Sequence, residues 1–405
     1  MENLNNILTV SHSECCGCRI CEDACPKHCI SFQKRENGFF FPSVNETECI
    51  NCAICIKKCP VLNESSHKIA DDCYAAKSYD ENNVSTSSSG GIFGTIAEYV
   101  FENGGVVYGA SFDDNLKLRH TSACDTRELL SLKKSKYIQS NCSGIYNKVK
   151  EDLVKNRITV FCGTPCQCNA LLNYVPDKLR KNLILIDFVC HGVPSQDFFD
   201  KCISWYEDKH KCKVLEFSFR HKDNRTETAQ KYKMKILKNG NTSYEFGRYY
   251  QNPFYFGFQK RISLRECCYQ CKWANPRRCS DITLGDFWGI EKYLPYLNSK
   301  EGISLILPNT LKGRALIEKL IGLKKIWFNR LPAQNAFESN ECLLKATTMP
   351  ASRTAFFHDL QEKTFDEVVS IYLVPKMMFF MNLYYSLPSF LRKLILKTSN
   401  LLRKI

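Results

Sequence analysis

The run Cys15-x-x-Cys18-x-x-Cys21-x-x-x-Cys25-Pro26 recurs thirty-four residues later as Cys49-x-x-Cys52-x-x-Cys55-x-x-x-Cys59-Pro60. Eight cysteines and two prolines repeated at one offset constitute an internal duplication. Three thiolates on a short loop reach three corners of a [4Fe–4S] cubane, while the fourth lies farther along and ligates the neighbouring cluster. The spacing therefore predicts one cluster on Cys15, Cys18, Cys21 and Cys59, and a second on Cys49, Cys52, Cys55 and Cys25. Structural zinc also uses C-x-x-C pairs. Four ligands per zinc explain neither the eight-cysteine repeat nor the prolines.

The reading is a two-cluster ferredoxin domain over residues 1–63. A chain of 405 residues has room for two further units, and its 24 cysteines far exceed the eight just used. The opening MENLNNILTV lacks the basic and apolar regions of a secretory signal. So many cysteines without export imply metal or redox work in a reducing, cytoplasmic compartment rather than disulfides. The formal charge of +14 falls to roughly +8 once three thiolate-ligated cubanes are counted. Lysine and arginine are scattered rather than clustered until the last thirty residues, so no nucleic-acid partner is expected. Cys16 and Cys29 fall outside the repeat and read as packed thiols. The aromatic stretch Gly38-Phe39-Phe40-Phe41-Pro42 is expected to cover one cluster.

A polar linker, 63–72, leads into an α/β alternation over 73–345, and truncation before Cys73 is expected to leave a folded domain. Cys73-Tyr74-Ala75-Ala76-Lys77 reads as a strand. The serine-rich turn ending Ser89-Gly90-Gly91 opens a helix over Ile92–Glu102 with helical apolar spacing. Small residues at a helix start can admit an anion, although such a turn is more often only a loop. No G-x-G-x-x-G fingerprint is present, which argues against a Rossmann dinucleotide site. Two strand–loop–helix units follow. Strand 158–161 leads to the loop Cys162-Gly163-Thr164-Pro165-Cys166-Gln167-Cys168 and a helix over 169–174. Strand 183–189 leads to Cys190-His191-Gly192-Val193-Pro194-Ser195 and a helix over Gln196–His210. Groups at the carboxyl ends of adjacent parallel strands lie where open α/β sheets bind ligands. Strands 232–237 and 242–246 flank Lys238-Asn239-Gly240-Asn241, a hairpin signal.

A third cysteine group is Cys267-Cys268-Tyr269-Gln270-Cys271, and the turn Gly285-Asp286-Phe287-Trp288-Gly289 is close enough to fold back over it. Cys268 and Cys271 supply half of a cubane's ligands, and Cys166 and Cys190 are the natural other half. The alternative is four packed thiols. A zinc here would interrupt the electron path with a redox-silent ion.

The ordered segments SSSGGIF, SKYIQS, GTPCQ, DFVCHGVPS, RECCYQCKW and SDITLGDFWGI, behind a two-cluster ferredoxin, resemble the coenzyme F-420 hydrogenase/dehydrogenase beta-subunit family. The resemblance spans about 15–308. It implies a mixed α/β flavoprotein domain behind the small ferredoxin domain, an α+β and α/β architecture; a helical C-terminal tail over 346–405 is read from its own residues, outside the resemblance. It further implies FAD beside a [4Fe–4S] cluster ligated by Cys166, Cys190, Cys268 and Cys271. Flavin contacts would come from Ser89, Gly90, Gly91, Lys136 and Thr164. Cys162, Cys168, Cys267 and Cys279 depart from the motifs, and Cys267 could replace Cys268. Clusters carry single electrons and a flavin converts them to two-electron chemistry. The expected function is an iron–sulfur flavoprotein oxidoreductase acting on an organic substrate with a redox partner protein. The alternative is a subunit that only relays electrons to a catalytic partner. His191 is the candidate proton donor, or else fixes its own turn. Asp286 and Trp288 read as packing residues. Phe390, Leu391, Leu394, Ile395, Leu401, Leu402 and Ile405 form one apolar helical face, with Arg392, Lys393, Lys397, Arg403 and Lys404 around it. Docking of this end on the protein itself or on a partner is favoured over peripheral contact with the inner membrane surface.

Overall fold

The computed structural model describes residues 5–65, 69–222, 231–298, 302–387 and 391. The duplicated cysteine runs fold alike. Arg19 and Ala53 occupy equivalent places in the repeat, and both take left-handed backbone, with φ of 67° and 58°. Each opens a short helix, Ile20–Asp23 and Ile54–Lys58. Between the runs, β1 (Ile30–Lys34) and β2 (Phe40–Val44) pair antiparallel.

The rest of the chain is built on an eight-stranded mixed sheet. Its strands are β3 (Asp72–Ser78), β4 (Val106–Phe112), β5 (Leu118–Ala123), β6 (Thr159–Gly163) and β7 (Leu183–Phe188). A separate three-stranded antiparallel sheet comprises β8 (Lys213–Ser218), β9 (Lys231–Lys238) and β10 (Asn241–Arg248). The large sheet resumes with β11 (Ile282–Asp286), β12 (Ser304–Pro308) and β13 (Ile326–Pro332). Its order is β13-β3-β12-β11-β7-β6-β4-β5. The four central strands β11, β7, β6 and β4 run parallel, and the outer pairings are antiparallel. Apolar, β-branched runs such as Thr159-Val160-Phe161 suit strands covered on both faces, and those three residues are fully buried. The expected adjacency of the strands carrying Cys166 and Cys190 holds: Phe161 pairs with Leu185 across β6 and β7. The helices Ile92–Glu102 and Gln196–His210 span the expected residues. At the β9–β10 turn, Asn239 and Gly240 both have positive φ, as a two-residue hairpin of primed type requires.

One boundary differs. The loop expected over 162–168 is cut short, because the helix Pro165–Tyr174 starts early and takes Cys166 and Cys168 into its first turn. Thr164 caps that helix reciprocally with Gln167, and Pro165 stands at the first helical position. The T-P-x-Q pattern carried this signal in the sequence.

The N-terminal module does not stand apart. Ile20 and Cys21 share a core with Tyr146, Val149 and Phe161 of the large domain. The Asp23 carboxylate accepts from the Gly144 and Tyr146 amides at 2.7 and 3.0 Å, capping the helix Ile145–Val154 from outside. Tyr146 Oη donates to the Cys18 carbonyl at 2.8 Å. In the aromatic stretch, Phe39 and Phe41 turn into the core that contains Phe198 and Phe357, with Cys15 packed against it, while Phe40 is 39% exposed, so the stretch also docks the module on the large domain. A polar linker in the sequence thus does not mark a gap in the packing.

The region beyond 346 is likewise not all tail. Phe356, Phe357 and Leu360 of the helix Arg353–Glu362 are buried in the same core as Val368, Val369 and Leu373. The following helix, Met378–Ser386, leaves Phe380 and Leu383 exposed. Except for Leu391, the residues of the expected basic amphipathic face lie outside the described residues. Among the described residues, no helix is long and apolar enough to cross a membrane.

Candidate functional site

In the N-terminal module each fourth cysteine lies with the other run's three. Burial pushes the Cys21 thiol well up, reinforced by the charges of Cys15 and Cys59, and Cys59 in turn is raised by burial and by Cys15. Cys18 lies within electrostatic reach of both Cys59 and Cys21. Cys25, Cys49, Cys52 and Cys55 line a second, small cavity with Cys29. Cys29 is packed, as expected, but against these thiols: its Sγ is 3.4 Å from that of Cys25. Bringing thiols together below the surface raises their pKa values, and a cationic cluster reverses this by holding them as thiolates. Cys52 is exposed, so the second group reaches the surface while the first faces inward.

Cys166, Cys190, Cys268 and Cys271 line one cavity in the large domain. Cys166 is placed by the capped helix start, and Thr164 Oγ1 lies 3.1 Å from its Sγ. Cys190 follows β7, and the chain then turns at Gly192, whose φ is 104°. A Cβ on Gly192 would sit 2.8 Å from Leu264 Cδ1 and 3.0 Å from Cys268 Cβ, so glycine permits the approach of the two loops. Burial raises the Cys190 thiol well above its ordinary value, followed by the charges of Cys268, Cys271 and Cys166. Burial and the neighbouring Cys268 and Cys166 push Cys271 up to about 12. Cys268 is thus the neighbour of the other three. Cys267, though on the same cavity, has Cys268 and Cys16 as its thiol neighbours. Cys16 is buried, but on this cavity beside Cys166 rather than in a separate apolar core. Cys168 and Cys279 direct their sulfurs to carbonyls of Ile186 and Pro165. Among the described residues no three or more His, Cys, Asp or Glu side chains are gathered as for a single metal ion. A cubane takes its thiolates apart, one to each corner iron.

This thiol cavity shares the wall residues Ser140, Thr164, Gln167, Cys190, His191, Gly192 and Val193 with a larger one of about 420 Å³. The larger cavity lies at the carboxyl ends of β6 and β7, where ligands bind in open α/β sheets. Ser89, Gly91, Lys136, Thr164 and His191 line it. Gly90 does not. Its amide donates to Ser304 Oγ at 2.9 Å, and a Cβ there would meet the Ala76 carbonyl at 2.5 Å, so it packs behind the wall. Lys136 Nζ donates to the Lys133 carbonyl at 2.7 Å, and burial lowers its pKa to about 7. His191 Nδ1 lies 3.1 Å from Cys342 Sγ, and burial, then the charge of Arg261, lowers its pKa.

The turn around Asp286 lies over this larger cavity and not over the third cysteine group. Its role as packing is extended by an ion pair with Arg220 at 2.8 Å, whose guanidinium also stacks over Trp288. Arg220 and His120 line the cavity and had no sequence signal, since neither sits in a motif, whereas Asp187, also on the wall, opens the DFVCHGVPS segment, in which only Cys190 and His191 read as site residues. His120 Nδ1 lies 2.9 Å from Ser140 Oγ, and burial pushes its pKa down to about 4. Asp187 is fully buried. Arg278 Nη2 approaches one of its oxygens to 3.1 Å, but off the line a hydrogen bond needs. Among the described residues neither Asp187 oxygen nor Arg220 Nε has a hydrogen-bond partner. Buried polar atoms that lack a hydrogen bond on a cavity wall suit a polar ligand.

Residues 157–333 match the family described as the C terminus of the coenzyme F420 hydrogenase/dehydrogenase beta subunit. Residues 14–63 match the 4Fe-4S dicluster domain. Among solved structures, a chain of the xenon-derivatised F420-reducing [NiFe] hydrogenase complex from Methanosarcina barkeri is similar at 15% identity, covering 67% of this chain and 84% of that chain with a TM-score of 0.43. No curated protein matches.

Proposed function

Since the chain belongs to the coenzyme F420 hydrogenase/dehydrogenase beta-subunit family and carries two [4Fe–4S] clusters in a dicluster domain, we propose that it is an iron–sulfur flavoprotein oxidoreductase. In this reading Cys166, Cys190, Cys268 and Cys271 hold a third cubane, and FAD occupies the cavity of about 420 Å³ beside it. The observation that carries the reading is the shared wall: Cys190 and His191 border both cavities. The donor sets fit. Four convergent thiols suit a cubane, and a polar-lined cavity within the usual ligand-site range of about 300–1,000 Å³ suits a large cofactor. A bound flavin would supply the conversion between single-electron transfer and two-electron chemistry on an organic substrate.

The chain's own residues have defined tasks. Lys136, buried and near the midpoint of its titration at neutral pH, offers a positive charge to an anionic ligand. His191 is mostly neutral there, and with Nδ1 facing Cys342 its Nε2 is the atom left to hold or give a proton. Arg220 keeps its charge through Asp286 while its Nε remains free for a ligand acceptor. Cys52, exposed at the outer cluster, is the docking point for a redox partner.

A relay role, in which electrons leave for a separate catalytic partner, rests on the family being one of subunits. Anaerobic purification with iron, sulfide and flavin analysis separates the readings. We expect about twelve irons and one FAD per chain. Saturation near eight irons, roughly two cubanes, removes the inner cluster. Twelve irons without flavin favours the relay.

A further inference from the structure

The stretch after Asn340 lies beyond the family match and runs along both cavities. Asn340 lines the larger one and donates to the Asp286 carbonyl at 3.3 Å. Cys342 meets His191, and Ala346 and Thr347 line the thiol cavity. Thr347 is 5% exposed, and its Oγ1 has no hydrogen-bond partner among the described residues. A hydroxyl buried without a partner costs its desolvation, so its presence on this wall calls for an acceptor in the cavity. Thiolate and sulfide sulfurs of a cubane are acceptors, and hydrogen bonds to them set the potential.

We propose that the Thr347 hydroxyl donates a hydrogen bond to a sulfur of the inner cluster and raises its reduction potential. The sign follows from charge: reduction makes the cluster more negative, and a donor stabilises the more negative state. The inner cluster thereby becomes an easier electron acceptor from the ferredoxin pair. The proposal rests on the reading that Cys166, Cys190, Cys268 and Cys271 hold a cubane.

The test uses the full chain, reconstituted anaerobically, with the midpoint of each cluster followed by paramagnetic resonance during a redox titration. Thr347→Val keeps the shape and removes the donor, whereas Thr347→Ser keeps the donor. Ser263→Ala is the control, because Ser263 Oγ is also buried without a partner among the described residues but does not line the thiol cavity. Thr347→Val should retain its iron and move one midpoint to more negative potential. A tenfold lower ratio of reduced to oxidised cluster, about 59 mV for one electron, is the scale expected. Thr347→Ser should restore the midpoint, and Ser263→Ala should leave all midpoints in place. Wild-type midpoints in Thr347→Val, with twelve irons bound, overturn the proposal and leave the inner cluster standing. Wild-type protein saturating at eight irons overturns both.

Discussion

Single residues decide whether the inner site is a cluster. Cys190→Ala removes one of four converging thiols and should cost about four of twelve irons, read by iron analysis. Cys202, buried in the helix Gln196–His210 away from the thiol cavity, is the control, and Cys202→Ala should keep its iron. Equal losses in the two variants would sink the ligand assignment. His120 gives a pH signature. Its folded pKa of about 4 lies below the unfolded value of about 6.5, so the unfolded chain binds more protons between them. Stability therefore rises with pH through that window, and falls by up to roughly 3 kcal/mol as pH drops from about 6.5 towards 4. His120→Gln should flatten the melting temperature against pH there. An unchanged slope would show that His120 takes up its proton alike in the folded and unfolded states. Of these residues, Cys190 was legible as the end of a predicted strand. His120 was not, because nothing in Leu118-Arg119-His120-Thr121 distinguishes a cavity wall from an ordinary strand face.

At the scale of elements, the two modules are joined by a helix end. The helix Ile145–Val154 starts at Gly144 with no cap from its own chain neighbourhood, and Asp23 of the ferredoxin module supplies it. Asp23→Ala should destabilise the protein by roughly 1–2 kcal/mol, the usual worth of a cap, in a chemical melt followed by circular dichroism. A change below a few tenths would mean that the Gly144 and Tyr146 amides find other partners. The same pattern governs the inner loop. Buried Arg265 donates to the Cys15 and Phe40 carbonyls at 2.7 and 3.0 Å, and Gln139 Nε2 donates to the Cys16 carbonyl at 2.8 Å. Helix extents follow local periodicity and capping, so they could be read along the chain. A cap or clamp supplied from more than a hundred residues away leaves no local mark.

The described residues form one packing unit, in which cysteines of the N-terminal module and of the large domain share a core. Phe39, Phe41, Ile20 and Cys21 lie in cores that also hold Phe198, Tyr146 and Phe161. Removing residues 1–72 would strip these cores, so the truncated chain should aggregate or fail to retain iron and flavin, as followed by size exclusion and metal analysis. A monomeric truncated protein with four irons and a flavin would show that the packing is dispensable. The sequence by itself determined the ferredoxin clusters, because their ligands sit on two short loops whose spacing is the chemistry. It also determined the parallel strands that carry Cys166 and Cys190, through apolar runs followed by helix starts. Tertiary structure alone decided that Cys268 rather than Cys267 neighbours those thiols, and that Asp187, Arg220 and Thr347 face cavities. Those placements depend on the strand order β11-β7-β6-β4 and on loops from distant parts of the chain. Long-range packing sets that order, and no short-range pattern records it.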